Sequence, residues 1–149
     1  MQEASSACVF CGIVAGRLPA SVVYRDERVC AFMDIRPVNP GHLLVIPLAH
    51  AAGLATLESG TGAQMFRVGQ RLAEALRRSG VRCDGINFLL ADGEAAGQEV
   101  FHVHLHVIPR HAGDGFGFRY GPDFGALPDR EVLEATARVV REAMPAGDA

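Results

Sequence analysis

The stretch EVFHVHLHVIPR, residues 99–110, alternates histidines with apolar residues. Successive side chains of an extended strand point to opposite faces. The segment therefore predicts a strand that carries its three histidines, His102, His104 and His106, on one face and the intervening apolar residues on the other. Three histidines in strict alternation indicate a chemical site rather than a solvent-facing strand.

The surrounding sequence predicts four more strands and two helices. The strands are indicated by β-branched and aromatic runs separated by turn residues, and the helices by apolar residues at three- and four-residue steps. Because the strands occur in clusters, the pattern favours an α+β fold with an antiparallel sheet. The predicted strands lie within SVVYRD (21–26), RVCAFMDI (28–35), LLVIP (43–47) and GINFLL (85–90), and the predicted helices span 61–79 and 128–144.

Composition limits the classes of protein that this chain can represent. Its 149 residues suffice for one domain with its own hydrophobic core. The net charge of −3 lacks the basic balance expected of a protein that binds duplex nucleic acid. There is no apolar run of about 18 residues and no secretory signal at the start, so we expect no membrane insertion and a cytoplasmic address.

Two kinds of chemistry are compatible with the alternating histidines. They could converge on a metal ion, or one neutral imidazole could act as a nucleophile while its neighbours contact an anionic substrate. A metal hydrolase needs an activating carboxylate, and only Glu99 stands just upstream. The preceding loop offers Gly97, which lets backbone N–H groups approach an anion, and Gln98, whose amide can donate to an oxygen. This balance favours phosphoryl chemistry.

Three segments in order resemble the nucleotide-binding branch of the histidine-triad (HIT) family. They are CVFCGIVAGRLPASVVYRDERVCAFMDIRPVNPGHLLVIPLAH (8–50), DGINFLL (84–90) and AAGQEVFHVHLHVIPR (95–110). The resemblance implies a HIT-like antiparallel sheet of about five strands with two main helices. It also implies a single domain over residues 1–149, with a flexible N-terminus and a C-terminal loop plus helix.

The same resemblance implies an activity and the residues that perform it. Relatives transfer or hydrolyse nucleotidyl groups, such as those of nucleoside phosphoramidates, through a covalent nucleotidyl-histidine. By position the nucleophile is His104, with His106, His42 and His102 as further catalytic histidines. The implied nucleotide-binding residues are Val9, Phe10, Ile13 and Phe32 around a purine base, Asp34 at the ribose, and Gly97 and Gln98 at the phosphate.

Two positions depart from the family pattern. Ala91 stands eleven residues before the first histidine of the triad, where relatives commonly carry an amide side chain. Asn87 or Asp92 could compensate for it. Glu99 replaces a small hydroxyl residue of some relatives, and its carboxylate would repel a phosphate if it pointed inward. We expect Glu99 to point away or to act through a partner.

Cysteines near the start of the chain imply a metal site. Cys8 and Cys11, with His50 and His102, match the positions of zinc ligands in some relatives, and two thiolates with two imidazoles make a tetrahedral structural site. The alternative is a pair of reduced thiols without metal. Cys30 and Cys83 are interpreted as ordinary core or surface thiols. No organic cofactor is expected.

Partners and alternative functions follow from the same resemblance. We expect a purine nucleotide as substrate and a homodimer, because relatives pair their sheets. A second hypothesis is hydrolysis or phosphorolysis of dinucleoside polyphosphates, with Arg36, Arg110 and Arg119 holding the extra phosphates. A third is a nucleotide-binding module without turnover, in which Ala91 marks the lost activity.

Overall fold

The computed structural model describes residues 7–147, and the predicted flexible N-terminus lies outside these residues. Five strands and three α-helices follow one another along the chain. In chain order they are α1 (Val9–Val14), β1 (Val22–Arg25), β2 (Val29–Met33), β3 (Leu43–Pro47), α2 (Ser59–Arg78), β4 (Gly85–Leu89), β5 (Leu105–Arg110) and α3 (Arg130–Ala143).

The five strands form one antiparallel sheet in the order β1-β2-β3-β5-β4. This confirms the predicted α+β fold with five strands and two main helices, α2 and α3. It also corrects the extent of the histidine strand, because β5 begins only at Leu105. The Val103 N–H donates to the carbonyl of Ala51 instead of joining the ladder. His102 and His104 therefore precede the strand.

Each face of the sheet packs against a different helix. On one face, Ala31, Val45 and Val107 form a core with the apolar side of α2, which includes Val68 and Leu72. Full burial of each large apolar side chain contributes about 1.5–3 kcal/mol. This core packs the sheet firmly against α2.

The opposite face carries a smaller cluster in which Phe32, Leu44 and Ile46 contact Phe10 of α1. Side chains directly opposite each other in an antiparallel pair share a face. His106 is paired with Leu44, so it lies on the α1 side of the sheet. The face away from α2 is therefore where the functional side chains can gather.

Helix α2 begins two residues before the predicted position. The carboxylate of Glu58 accepts hydrogen bonds from the N–H groups of Gly60 and Thr61, which satisfies donors that the first helical turn leaves without partners. The helix ends at Arg78, one residue before the predicted end, and Gly80 follows with φ +80°. None of the described helices is both long and apolar enough to cross a bilayer.

The described residues divide into two compact units, one that ends at Phe116 and one that begins at Gly117. Within this second unit, α3 begins at Arg130 and ends at Ala143, within two residues of the prediction at each end. No residue of α3 is buried. The single-domain organisation stays a prediction.

Candidate active site and metal centre

A cavity of about 680 Å³ opens on the α1 side of the sheet. Its volume lies in the range of about 300–1,000 Å³ that is usual for small-molecule sites. Most of its wall is apolar, and its polar side chains come from loops and, in the case of His106, from β5. The predicted residues on this wall are Val9, Phe10, Ile13, Phe32, Asp34, His42, Gly97, His104 and His106.

His104 sits on this wall with one ring nitrogen already engaged. Its Nδ1 lies 2.8 Å from the carbonyl oxygen of His102. A carbonyl can only accept, so Nδ1 must carry the proton and the neutral ring keeps a lone pair on Nε2. His104 is 7% exposed. The geometry thus prepares Nε2 as a nucleophile.

A chain of hydrogen bonds fixes the protons of the neighbouring histidines in the same way. The Val38 N–H donates to His42 Nδ1 over 3.1 Å, so the proton of the neutral His42 ring is on Nε2. That nitrogen lies 2.9 Å from Nδ1 of His106. His106 therefore accepts through Nδ1 and retains Nε2–H as a donor for a substrate oxygen.

A turn at Gly41 positions His42 in this series of hydrogen bonds. Gly41 has φ +96°, which L-residues with a side chain rarely adopt, and a Cβ there would lie 2.8 Å from Val81. The turn brings His42 to the start of β3, where its ring is 3% exposed. A larger residue at position 41 would displace this ring.

Burial keeps His42 and His106 neutral. Desolvation lowers the pKa of His42, and the nearby Asp34 carboxylate opposes this effect. The pKa of His106 is lowered to about 4, first by burial and then by the positive charges that His104 and His42 would carry. At neutral pH these rings are hydrogen-bonding groups rather than cations.

The charged groups at the pocket are mostly paired. One oxygen of Asp34 accepts from the Arg36 N–H, and the other lies 3.6 Å from His42 Nε2. The Arg36 guanidinium bonds Glu99 across 2.9 Å, with both side chains largely exposed. Glu99 is thus held by an intervening partner, in agreement with the expectation for it. Asp34 lines the pocket in which the resemblance places the ribose.

The structure places Gln98 elsewhere than predicted. Its side-chain oxygen accepts from the Gly93 N–H, and its amide nitrogen donates to the carbonyls of Ala52 and Val100. All of these bonds hold the backbone of the loop, and Gln98 is not part of the pocket wall. The loop reaches the cavity through Gly97, which has φ +86°, and through Glu99 and Val100.

His102 is also separated from the other two histidines of the triad. It is fully buried, and its Nδ1 lies 3.5 Å from Cys8 Sγ and 3.6 Å from Cys11 Sγ. His50 Nδ1 lies 3.3 Å from the Cys11 sulfur. The three histidines therefore do not share one pocket, because His102 belongs to a cluster with the other three predicted metal ligands.

The chemistry of this cluster fits a tetrahedral zinc ion. Zinc–ligand lengths of about 2.3 Å to sulfur and 2.0–2.1 Å to nitrogen imply sulfur–nitrogen separations of about 3.6 Å. The separations given above fall close to that value. His102 Nε2 donates to the Pro47 carbonyl over 2.8 Å, which leaves a lone pair on Nδ1 toward the sulfurs. The tautomer is the one that a metal ligand needs.

A second group of ligand-type atoms, in Asp34, His42 and His106, does not fit a metal in this way. His42 Nδ1 accepts from the Val38 N–H, so Nε2 holds the proton and offers no lone pair to a cation. The three side chains are better understood as a hydrogen-bonded group.

Neither Asn87 nor Asp92 compensates for Ala91 at the described pocket wall. Asn87 accepts from the Arg110 guanidinium, and Asp92 accepts from the Leu54 N–H. Neither of the two proposed replacements is on the described pocket wall. The amide missing at position 91 is therefore not supplied by these side chains.

Some functional groups were missed by the sequence analysis. They include helix α1 itself, the segment 18–20 that completes the pocket wall, and the backbone groups of Val38 and Pro47 that set histidine tautomers. The six residues of α1 are too few for a helical period to be read, although the two cysteines mark its position. Backbone contacts leave no signal in the sequence.

Comparison with known proteins identifies relatives of this chain in sequence and in structure. Residues 15–113 match the model of the HIT domain family. An uncharacterized HIT-like protein of Mycobacterium tuberculosis is 43% identical over 142 residues, which cover 95% of this chain and 96% of that protein. Solved structures extend the likeness to the fold.

The crystal structure of a zinc-bound histidine triad family protein from Mycobacterium smegmatis superposes with a TM-score of 0.72. It is 45% identical, over 93% of this chain and 98% of that one. A histidine triad nucleotide-binding protein from Candida albicans gives a TM-score of 0.78 at 27% identity, over 91% and 96% of the two chains. Because the family model matches residues 15–113 and solved histidine triad structures share the fold, this chain belongs to the HIT domain family.

Proposed function

We propose that this chain is a nucleotide hydrolase or transferase that cleaves nucleoside phosphoramidates or related nucleotidyl bonds through a covalent intermediate on His104. One observation carries the proposal. The His102 carbonyl fixes the proton of the neutral His104 ring on Nδ1, so that Nε2 keeps its lone pair as a nucleophile in a mostly apolar pocket.

The reaction proceeds in two displacements. The lone pair of His104 Nε2 attacks the α-phosphorus, the bond from phosphorus to the leaving nitrogen breaks, and the departing amine takes a proton from water. Water then attacks the same phosphorus and gives a proton to the hydroxide left in the solvent by the first step, while the bond to Nε2 breaks and releases the nucleoside monophosphate and the neutral imidazole. While the ring is phosphorylated it is positively charged, and the carbonyl bonded to Nδ1–H stabilises that charge.

The other pocket histidines serve the phosphoryl group. His106 keeps Nε2–H as a donor to a phosphoryl oxygen, because its Nδ1 accepts from His42. The neutral state of His106 follows from its lowered pKa. His42 acts through His106 and is a positioning residue.

The charge of the pocket favours a phosphoramidate over a dinucleoside polyphosphate. Its wall carries Asp34, Glu99 and Arg36, so carboxylates outnumber guanidinium groups, and Arg36 is engaged by Glu99. Arg110, another group suggested for extra phosphates, is bonded to Asp114 and is not on the described wall. Additional phosphates would find few cationic partners here.

The nucleoside is held by apolar contacts and one carboxylate. The rings of Phe10 and Phe32 lie edge to face with centroids 5.6 Å apart and offer flat contacts to a purine. Asp34 accepts from the ribose hydroxyls. The homodimer and the cytoplasmic address remain proposals that rest on the resemblance and on the composition.

A structural zinc ion belongs to the same proposal. Cys8, Cys11, His50 and His102 would hold it, and the fit of their separations and of the His102 tautomer supports this assignment. When bound, the ion supplies a closed tetrahedral crosslink and no open position for substrate. Metal analysis of protein purified without chelator should give one zinc per chain.

The test is incubation of the full chain with adenosine 5′-phosphoramidate, with AMP followed by chromatography. Prompt AMP release that is lost in His104→Ala supports the proposal, and undiminished turnover by that variant contradicts the assigned nucleophile. Tight AMP binding without any product would instead favour the binding module, for which the uncompensated Ala91 is the specific observation. Parallel incubation with a diadenosine polyphosphate tests the second enzymatic hypothesis.

A further inference from the structure

The metal cluster is connected to the pocket through helix α1. Cys11 belongs to the cluster, and Val9, Phe10 and Ile13 of the same helix line the cavity. A six-residue helix cannot hold itself in water, and the N-cap, Cys8, makes no side-chain capping bond. The position of this pocket wall therefore depends on what its side chains contact.

The second connection runs through His102. Its ring points Nδ1 at the two sulfurs, and its backbone carbonyl accepts from the ring of His104. Phe10 touches both histidines edge to face, with centroid distances of 5.8 Å to His102 and 5.3 Å to His104. A change in the cluster can thus reach the pocket both through α1 and through His102.

We propose that Cys8, Cys11, His50 and His102 are positioning residues for the pocket, so that Zn²⁺ binding at this cluster raises the affinity for a nucleotide. Closing the cluster fixes the apolar wall that α1 presents to the base and the carbonyl that orients His104. The inference rests on the proposed nucleotide site.

Thermodynamic linkage makes this coupling reciprocal. If Zn²⁺ tightens nucleotide binding by some factor, the nucleotide must tighten Zn²⁺ binding by the same factor. Such couplings are typically about 5–150-fold. We expect Zn²⁺ to raise the affinity for AMP about tenfold, and AMP to raise the affinity for Zn²⁺ by the same factor. The two connections are short, but they affect only one wall of the pocket.

The experiment uses the full chain and AMP, which is not consumed. Calorimetry gives the AMP dissociation constant for the zinc-loaded protein and for protein stripped with a chelator. Competition with a chromophoric chelator gives the Zn²⁺ affinity with and without saturating AMP. We expect AMP to bind about tenfold more weakly without zinc, still at one per chain, and Zn²⁺ affinity to rise by the same factor with AMP.

The stoichiometry separates positioning from a merely structural role. If zinc removal only unfolded part of the sample, the fraction of chains that bind AMP would fall while the affinity of the rest stayed constant. That result would overturn the inference, as would equal AMP affinity in both forms or failure of the cluster to bind Zn²⁺. Failure of both forms to bind AMP would contradict the proposed nucleotide site itself.

Two variants complete the test. Cys8→Ser removes one cluster ligand on the half-exposed side and should weaken AMP binding to the level of the stripped protein, with unchanged circular dichroism. Cys83→Ser removes a thiol outside the cluster, which bonds the Gly85 carbonyl, and should bind AMP as the wild type does. Equal AMP affinity of the two variants would also overturn the inference.

Discussion

Replacing His106 should change how the stability of this protein depends on pH. The folded chain lowers the pKa of this ring from 6.5 to about 4, with burial as the largest cause. The unfolded chain takes up a proton as pH falls below about 6.5, whereas the folded chain does not until about pH 4. Protonation therefore favours the unfolded state, and stability that is complete above pH 6.5 is lost as pH falls toward 4.

The size of this loss follows from the two pKa values. At about pH 5 the difference in proton binding amounts to about 2 kcal/mol as an upper limit. The ring of His106 is partly exposed, so solvent screening reduces the expected loss to about 1 kcal/mol. A glutamine at this position does not titrate, and its amide oxygen can still accept from His42 Nε2–H.

The assay is urea unfolding of the wild type and His106→Gln at about pH 7.5 and about pH 5. Between these pH values the wild type should lose about 1 kcal/mol more of its unfolding free energy than the variant. His111→Gln, which removes a histidine outside the pocket, controls for the loss of one histidine. Identical pH dependence of wild type and His106→Gln would refute a neutral, buried His106.

Three other changes test the pocket and the core. Asp34→Asn should weaken AMP binding about tenfold but weaken 2′-deoxy-AMP binding much less, because one acceptor for the cis hydroxyls of the ribose is lost. Equal losses of affinity for the two nucleotides, measured by calorimetry, would exclude a ribose contact. Glu99→Ala should raise kcat/KM for a diadenosine polyphosphate a few-fold relative to kcat/KM for the phosphoramidate, because it frees the Arg36 guanidinium. The control Glu94→Ala should leave this ratio of kcat/KM values unchanged. An unchanged ratio in Glu99→Ala would argue against the charge explanation. Leu72→Ala should lower the unfolding free energy, measured in urea, by about 2–5 kcal/mol because this side chain is buried. Leu127→Ala should lower it by less than about 0.5 kcal/mol because this side chain is 94% exposed. Similar losses for the two variants would show that the core is misassigned.

The strands and α2 could be predicted because their sequences carry strong local patterns. The apolar run LLVIP, which includes the β-branched Val45 and Ile46, forms β3, and the apolar spacing of α2 matches the side that packs on the sheet. The pocket residues from Val9 to His106 could be named only because the motif resembles a known family. Their convergence depends on strand order, which joins β3 to β5 across about sixty residues.

Other features could not be predicted because they depend on tertiary contacts. Alternation alone predicts His102 on the same face as His104, but the strand begins only at Leu105 and the buried ring of His102 lies against the cysteines. The amide of Gln98 was assigned to a phosphate, yet three backbone groups use its hydrogen bonds. A polar side chain in a glycine-rich loop has the same sequence signature whether it binds a phosphate or holds the backbone of the loop.

The most direct test of the account is to trap the reaction on the enzyme. Wild-type protein mixed briefly with adenosine phosphoramidate and quenched under alkaline conditions should gain one adenylyl group by mass spectrometry, located on the peptide that contains His104. His104→Ala should gain none. An adenylyl group on another residue, or AMP release by the variant at the wild-type rate, would contradict the account.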